Sequence, residues 1–132
     1  MTVKQTVKPT ITTDERAMNC AALALDKKAF DVKILNIRGI STIADYLVLA
    51  TGTSDKQVVA IADSIRTGLK KYGKALDIEG AKEGKWVVID YGDVIVHVFI
   101  SEFRSYYNLD ELWGNAPLVE IPQEYLWEHK EP

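Results

Sequence analysis

Apolar positions along this chain change their spacing several times, and each change marks an element. Thr12-x-x-Glu15 reads as a capping box, in which hydroxyl and carboxylate each satisfy a backbone N–H at a helix start. Met18, Ala21, Ala22, Leu25 and Ala29 follow on one helical face, which predicts a helix over 13–29. Val32 to Ile37 reads as a strand and Gly39-Ile40-Ser41 as a turn. Tyr46-Leu47-Val48-Leu49-Ala50 is apolar without a break, as in a strand covered on both faces. Ser54-x-x-Gln57 offers a second capping box before Val58, Ile61, Ala62, Ile65, Leu69 and Tyr72, and Lys70, Lys71 and Gly73 suit the end of that helix. Three extended segments follow, Ala75 to Glu79, Trp86 to Asp90 and Val94 to Ile100. A last helical pattern runs from Glu102 to Trp113, where Gly114 and Pro117 interrupt it.

The order α-β-β-α-β-β-β-α predicts one α/β domain, a single mixed sheet of about five strands with helices packed on it. The expected organisation is a flexible segment over 1–12, the domain over 13–113 and a tail over 114–132 with room for one more helical turn.

Tyr91-Gly92 lies between two strand patterns and predicts a two-residue hairpin turn, with a longer loop as the alternative. Antiparallel partners keep a constant number sum, so this turn pairs Asp90 with Asp93, Val88 with Ile95 and Trp86 with His97. One face then holds Val87, Ile89, Val94, Val96 and Val98, an aliphatic set suited to a core. The other holds Trp86, Val88, Asp90, Asp93, Ile95 and His97, a mixture typical of a recognition surface. Packing of Trp86 and His97 beneath a helix fits the same pattern equally well.

Composition narrows the classes. Of 132 residues, 47% are hydrophobic and 27% charged, as in a single globular domain. The one cysteine, Cys20, forms no intramolecular disulfide and no cysteine zinc cage, and its place by the first helix's apolar face suggests an inert buried thiol. The start lacks the apolar stretch of a signal peptide, and no apolar run approaches the roughly 20 residues of a membrane helix, so a cytoplasmic location and no membrane partner are expected. A net charge of −3 disfavours direct nucleic-acid binding, which draws on a basic stripe. Residues 101–132 carry seven acids against two bases, which suits a basic partner or simple solvation.

Catalytic chemistry finds little footing. Gly52-Thr53-Ser54 before a helix could hold an anion, but it matches neither common phosphate loop, and a strand-to-helix turn needs small residues anyway. Asp90 and Asp93 come nearest to the carboxylate set that a nucleotide-transferring enzyme needs for metal ions, but they are split by a turn instead of presented from one strand. His97 and His129 show no zinc-ligand spacing, and Ser54 lacks a nucleophile elbow. No cofactor or metal is expected.

Several motifs together resemble one family. Asp45-Tyr46-Leu47-Val48-Leu49-Ala50-Thr51-Gly52-Thr53-Ser54, then Gln57 to Asp63, Glu79-Gly80, Trp86 through Phe99 and Arg104 through Leu112-Trp113 occur in the order found in the ribosomal silencing factor family, also called Iojap-like. The resemblance covers about Asp31 to Trp113. It implies a nucleotidyltransferase-like topology without the catalytic carboxylates, and a protein that is not an enzyme. It further implies binding to the large ribosomal subunit through ribosomal protein L-fourteen, blocking small-subunit joining and repressing translation under nutrient limitation. Position by position, it places Trp86 and Tyr91 at that contact; hairpin geometry adds Asp90, Asp93 and His97. Asn108 stands where the family often carries an acid, and the family commonly forms homodimers. The alternative function is a nucleotide-binding or nucleotidyltransferase-like enzyme using Gly52-Thr53-Ser54.

Overall fold

The computed structural model describes residues 9–122, so expectations for residues 1–8 and 123–132, including His129, lie outside the described residues. Helix α1 (Thr13–Asp26) opens on the predicted box: Glu15 N–H donates to Thr12 Oγ1 at 3.1 Å, and Thr12 N–H to Glu15 Oε1 at 3.0 Å. It stops three residues before the predicted end because Lys28 turns left-handed at φ 65°. There Ala29 N–H reaches the Ala24 carbonyl and Lys28 N–H that of Leu25. Its buried face is also rotated from the predicted one, with Ala17, Cys20, Ala21, Ala22 and Ala24 inward and Met18 and Leu25 half-buried. Small side chains there let the helix approach the sheet closely.

The strands are β1 (Phe30–Asn36), β2 (Tyr46–Gly52), β3 (Asp77–Glu79), β4 (Trp86–Asp90), β5 (Val94–Ile100) and β6 (Leu118–Val119), in the spatial order β3-β4-β5-β2-β1-β6. The single mixed sheet is as expected, with six strands where about five were predicted. The sixth comes from the segment read as tail and pairs with β1. Only β2 and β5 are parallel neighbours, and the chain between them runs through helix α2 (Asp55–Leu69), β3 and β4. All of β2 is buried, because it is central and covered on both sides.

Helices α1 and α2 cover one face, enclosing Ile34, Val48, Ala50, Val87, Ile89, Val96 and Val98. The other face carries a smaller cluster of Leu35, Ile37, Leu47, Leu49 and Phe99, roofed by the chain after β5. That chain is not the single helix expected over 102–113. It forms α3 (Ser101–Tyr107) and α4 (Leu109–Leu112), broken at Asn108, which is left-handed at φ 48°. The break has an electrostatic consequence: Arg104 and Asp110 would point about 120° apart and lie about 9 Å apart along the axis of one continuous helix, yet here they meet. Arg104 Nε and Nη2 donate to the two Asp110 oxygens at 2.8 and 2.9 Å, while Nη1 donates to Thr51 Oγ1 and the Asp31 carbonyl, both at 2.7 Å. Lys33 adds a 2.8 Å ion pair to Asp110. The roof is thereby fastened to β1 and β2 by a guanidinium that is almost fully buried.

An aromatic face on a two-sided hairpin

β4 and β5 form the predicted hairpin in a different register. Trp86 pairs with Phe99, Val88 with His97 and Asp90 with Ile95, two residues from the expected pairing. Tyr91 N–H donates to the Val94 carbonyl at 2.9 Å, so the turn residues are Gly92-Asp93. Glycine is the first central residue, with φ 91°, a conformation suited to glycine in hairpin turns. A two-residue slip leaves the alternation of faces intact. The aliphatic set is therefore buried as predicted, and Trp86, Val88, Asp90, Ile95 and His97 share the other side.

Two of the residues expected at the contact lie elsewhere. Asp93 belongs to the turn and is bound to α1: Thr13 Oγ1 donates to its Oδ2 at 2.9 Å, and Arg16 Nε lies 3.0 Å from its Oδ1. Tyr91 continues the odd-numbered positions of β4 and packs against the α1–α2 core, with the Arg16 guanidinium 5.3 Å from its ring centroid. Trp86 and Tyr91, expected at one contact, occupy opposite faces. Asp90 stays on the Trp86 side at the tip, where its carboxylate accepts the Gly92 N–H at 2.7 Å.

At the centre of the other face, Trp86 Nε1 donates to His97 Nδ1 at 3.0 Å. An accepting Nδ1 requires a neutral ring protonated at Nε2. Burial pushes the His97 pKa down to about 4, so the ring stays neutral near pH 7. The Trp86 ring also meets Phe99 at 5.5 Å and Tyr107 at 4.6 Å, and Tyr107 in turn meets Phe103 and Tyr106. Trp86, Val88, Ile95 and His97 are half-buried, Tyr107 is exposed, and Tyr106 is 81% exposed. The face is thus half covered: the aromatic edge is closed below by Phe99 and open above. Gly80 fixes its position, since at φ 83° a Cβ would run into the Trp86 carbonyl. Phe99, Phe103 and Tyr107 were not among the predicted site residues. The recurrence of aromatics after Ile100 is the available signal, and it fits a helix pattern equally well.

The Gly52-Thr53-Ser54 loop is occupied by the chain itself. Gln57 Oε1 accepts from Thr53 N–H at 2.6 Å and from Thr53 Oγ1 at 2.8 Å, and Gln57 Nε2 donates to the Lys27 and Lys28 carbonyls. Ser54 caps α2 by accepting the Gln57 N–H, but the Gln57 side chain does not return to Ser54, so only half of the predicted box forms. A Cβ on Gly52 would press on Val58, which gives that glycine a packing reason. Among the described residues, no group of three His, Cys, Asp or Glu is placed to hold a metal ion. No described helix is long and apolar enough to cross a membrane.

Fold and face together define a mixed α/β protein carrying a half-covered aromatic sheet face beside a hairpin tip. Residues 10–132 match the family model "Ribosomal silencing factor during starvation". A Bacillus subtilis protein named ribosomal silencing factor RsfS is 48% identical over 102 residues, covering 76% of this chain and 86% of that protein. A crystal structure of a Chromobacterium violaceum protein superposes with a TM-score of 0.76 at 33% identity, over 79% of this chain and 88% of that one. A Bacillus halodurans crystal structure gives a TM-score of 0.72 at 41% identity, over 81% and 98%. The chain belongs to the ribosomal silencing factor family.

Proposed function

We propose that this protein acts in the cytoplasm by docking on the large ribosomal subunit through ribosomal protein L-fourteen, so that its bulk blocks small-subunit joining and represses translation under nutrient limitation. Membership of the ribosomal silencing factor family carries this reading. The aromatic face supports it: an amphipathic Trp86 anchor, flanked by Val88, Ile95, His97 and Asp90 and continued by Tyr107, has the composition of a protein-binding hot spot. Occlusion needs tight docking and no turnover, and we assign the protein no enzymatic step. The Gly52-Thr53-Ser54 alternative is weakened because Gln57 already engages that loop. Of the remaining predicted contacts, Tyr91 and Asp93 would be reached only by a partner that also wraps the hairpin tip. When the protein is free, a homodimer would shield the same apolar face.

Co-sedimentation with isolated large and small subunits tests the proposal. The protein should travel with the large subunit alone, and Trp86→Ala should weaken binding by about 2 kcal/mol, close to 30-fold, as a hot-spot aromatic does. Wild-type affinity in a folded Trp86→Ala protein would move the docking surface elsewhere.

A further inference from the structure

The opposite side of the hairpin, across the sheet from Trp86, holds a second feature. Where α2 runs out through the 3-10 turn Lys70–Tyr72 toward β3, a cavity of about 420 Å³ is bounded by Arg66, Lys70, Lys74, Asp63, Ile78 and Tyr91. In a chain of net charge −3, the stretch 66–74 contains Arg66, Lys70, Lys71 and Lys74 and no acid. Lys71 turns away onto the Tyr72 ring. Arg66 is 3.7 Å from the exposed Asp63 carboxylate, while among the described residues neither Lys70 nor Lys74 has a carboxylate partner. Cations at the end of α2 offset a helix-terminal charge of roughly −0.5, which accounts for one of them and leaves the rest. The facing wall is apolar and flat: Ile78 and the half-buried Tyr91 ring, whose hydroxyl makes no hydrogen bond among the described residues.

We propose that this cavity binds a small phosphorylated ligand of the nucleoside di- or triphosphate class, its phosphates among Arg66, Lys70 and Lys74 and its flat part against Tyr91 and Ile78. The volume falls within the usual range for small-molecule sites. The cations converge on one cavity instead of forming the extended stripe that tracks a nucleic-acid backbone. The site is distinct from the Gly52-Thr53-Ser54 loop and lies across the sheet from the Trp86 face.

Calorimetry on the full chain tests this with GTP, ATP, pyrophosphate, inorganic phosphate and a short single-stranded RNA at about 0.1 M salt, an ionic strength that leaves contact pairs effective. One saturable nucleoside triphosphate site is expected, with pyrophosphate weaker and phosphate weakest. Lys70→Gln/Lys74→Gln should raise the nucleotide Kd at least about tenfold, the loss expected for charge-assisted contacts. Tyr91→Leu should weaken nucleotide but not pyrophosphate; if circular dichroism shows it unfolded, the exposed lysine pair decides alone. Absence of saturable nucleotide binding, full affinity in the lysine double variant, loss in Ser54→Ala, or tighter binding of RNA than of nucleotide would each overturn the proposal. The lysine double variant should still co-sediment with the large subunit, so failure of this site and failure of the docking reading are separable.

Discussion

His97 makes the protein acid-sensitive in a pH window where few other groups titrate. Its pKa falls from 6.5 to about 4 on burial beside Trp86, so the folded state binds this proton less readily than the unfolded chain. A depressed pKa contributes stability that is whole above pH 6.5 and is lost as pH falls toward 4. Each unit is worth about 1.4 kcal/mol, giving about 2 kcal/mol between pH 7 and pH 5 and about 3 kcal/mol by pH 4. Asp110 also opposes protonation in the fold, but it was already depressed by Arg104 and Lys33, and its contribution disappears only below the ordinary carboxylate range. Urea unfolding followed by far-UV circular dichroism at pH 7, 6 and 5 therefore isolates the histidine. His97→Phe should start about 1 kcal/mol less stable, because Trp86 Nε1–H loses its acceptor, yet show little pH slope. A wild-type stability that stays flat between pH 7 and 5, or an equal slope in both proteins, would refute the buried neutral histidine.

Two further perturbations test how the face is held. Asp110→Asn removes the charge facing a nearly buried Arg104 guanidinium and should cost about 3 kcal/mol, lowering the thermal midpoint measured by calorimetry, with Arg104→Lys unable to restore the fork. Gly80→Ala sets a Cβ against the Trp86 carbonyl at a positive φ and should destabilise by more than about 2 kcal/mol, with the backbone shift visible as altered Trp86 amide exchange.

Legibility in the sequence followed the range of the interaction. The Thr12–Glu15 box, the buried β2 run and the face alternation of β4 and β5 rest on neighbours a few residues apart, and they are present in the structure. The hairpin register is not legible because glycine alone does not say which central turn position it occupies. The predicted turn put it second, whereas Gly92 is first, and the shift moved Asp93 from strand to turn. The α3–α4 break was hidden for a different reason. The helical aromatic pattern continues through Asn108, and only the distant Thr51, Asp31 and Lys33 show what is gained by folding Asp110 back on Arg104.

The corrected register alters what the hairpin can do. With Trp86 and Tyr91 on opposite faces, a flat partner touching Trp86, Val88 and His97 does not also touch the Tyr91 ring, because the sheet lies between them. A partner using both would have to clasp the tip, where Asp90 is bound to Gly92 N–H and Asp93 to Arg16. Trp86→Ala and Tyr91→Ala then distinguish two geometries: equal losses of subunit binding indicate a clasp around the tip, whereas loss with Trp86→Ala alone assigns docking to the aromatic face. The second outcome leaves the Tyr91 side, with its converging cations, available for a different ligand while the protein is bound.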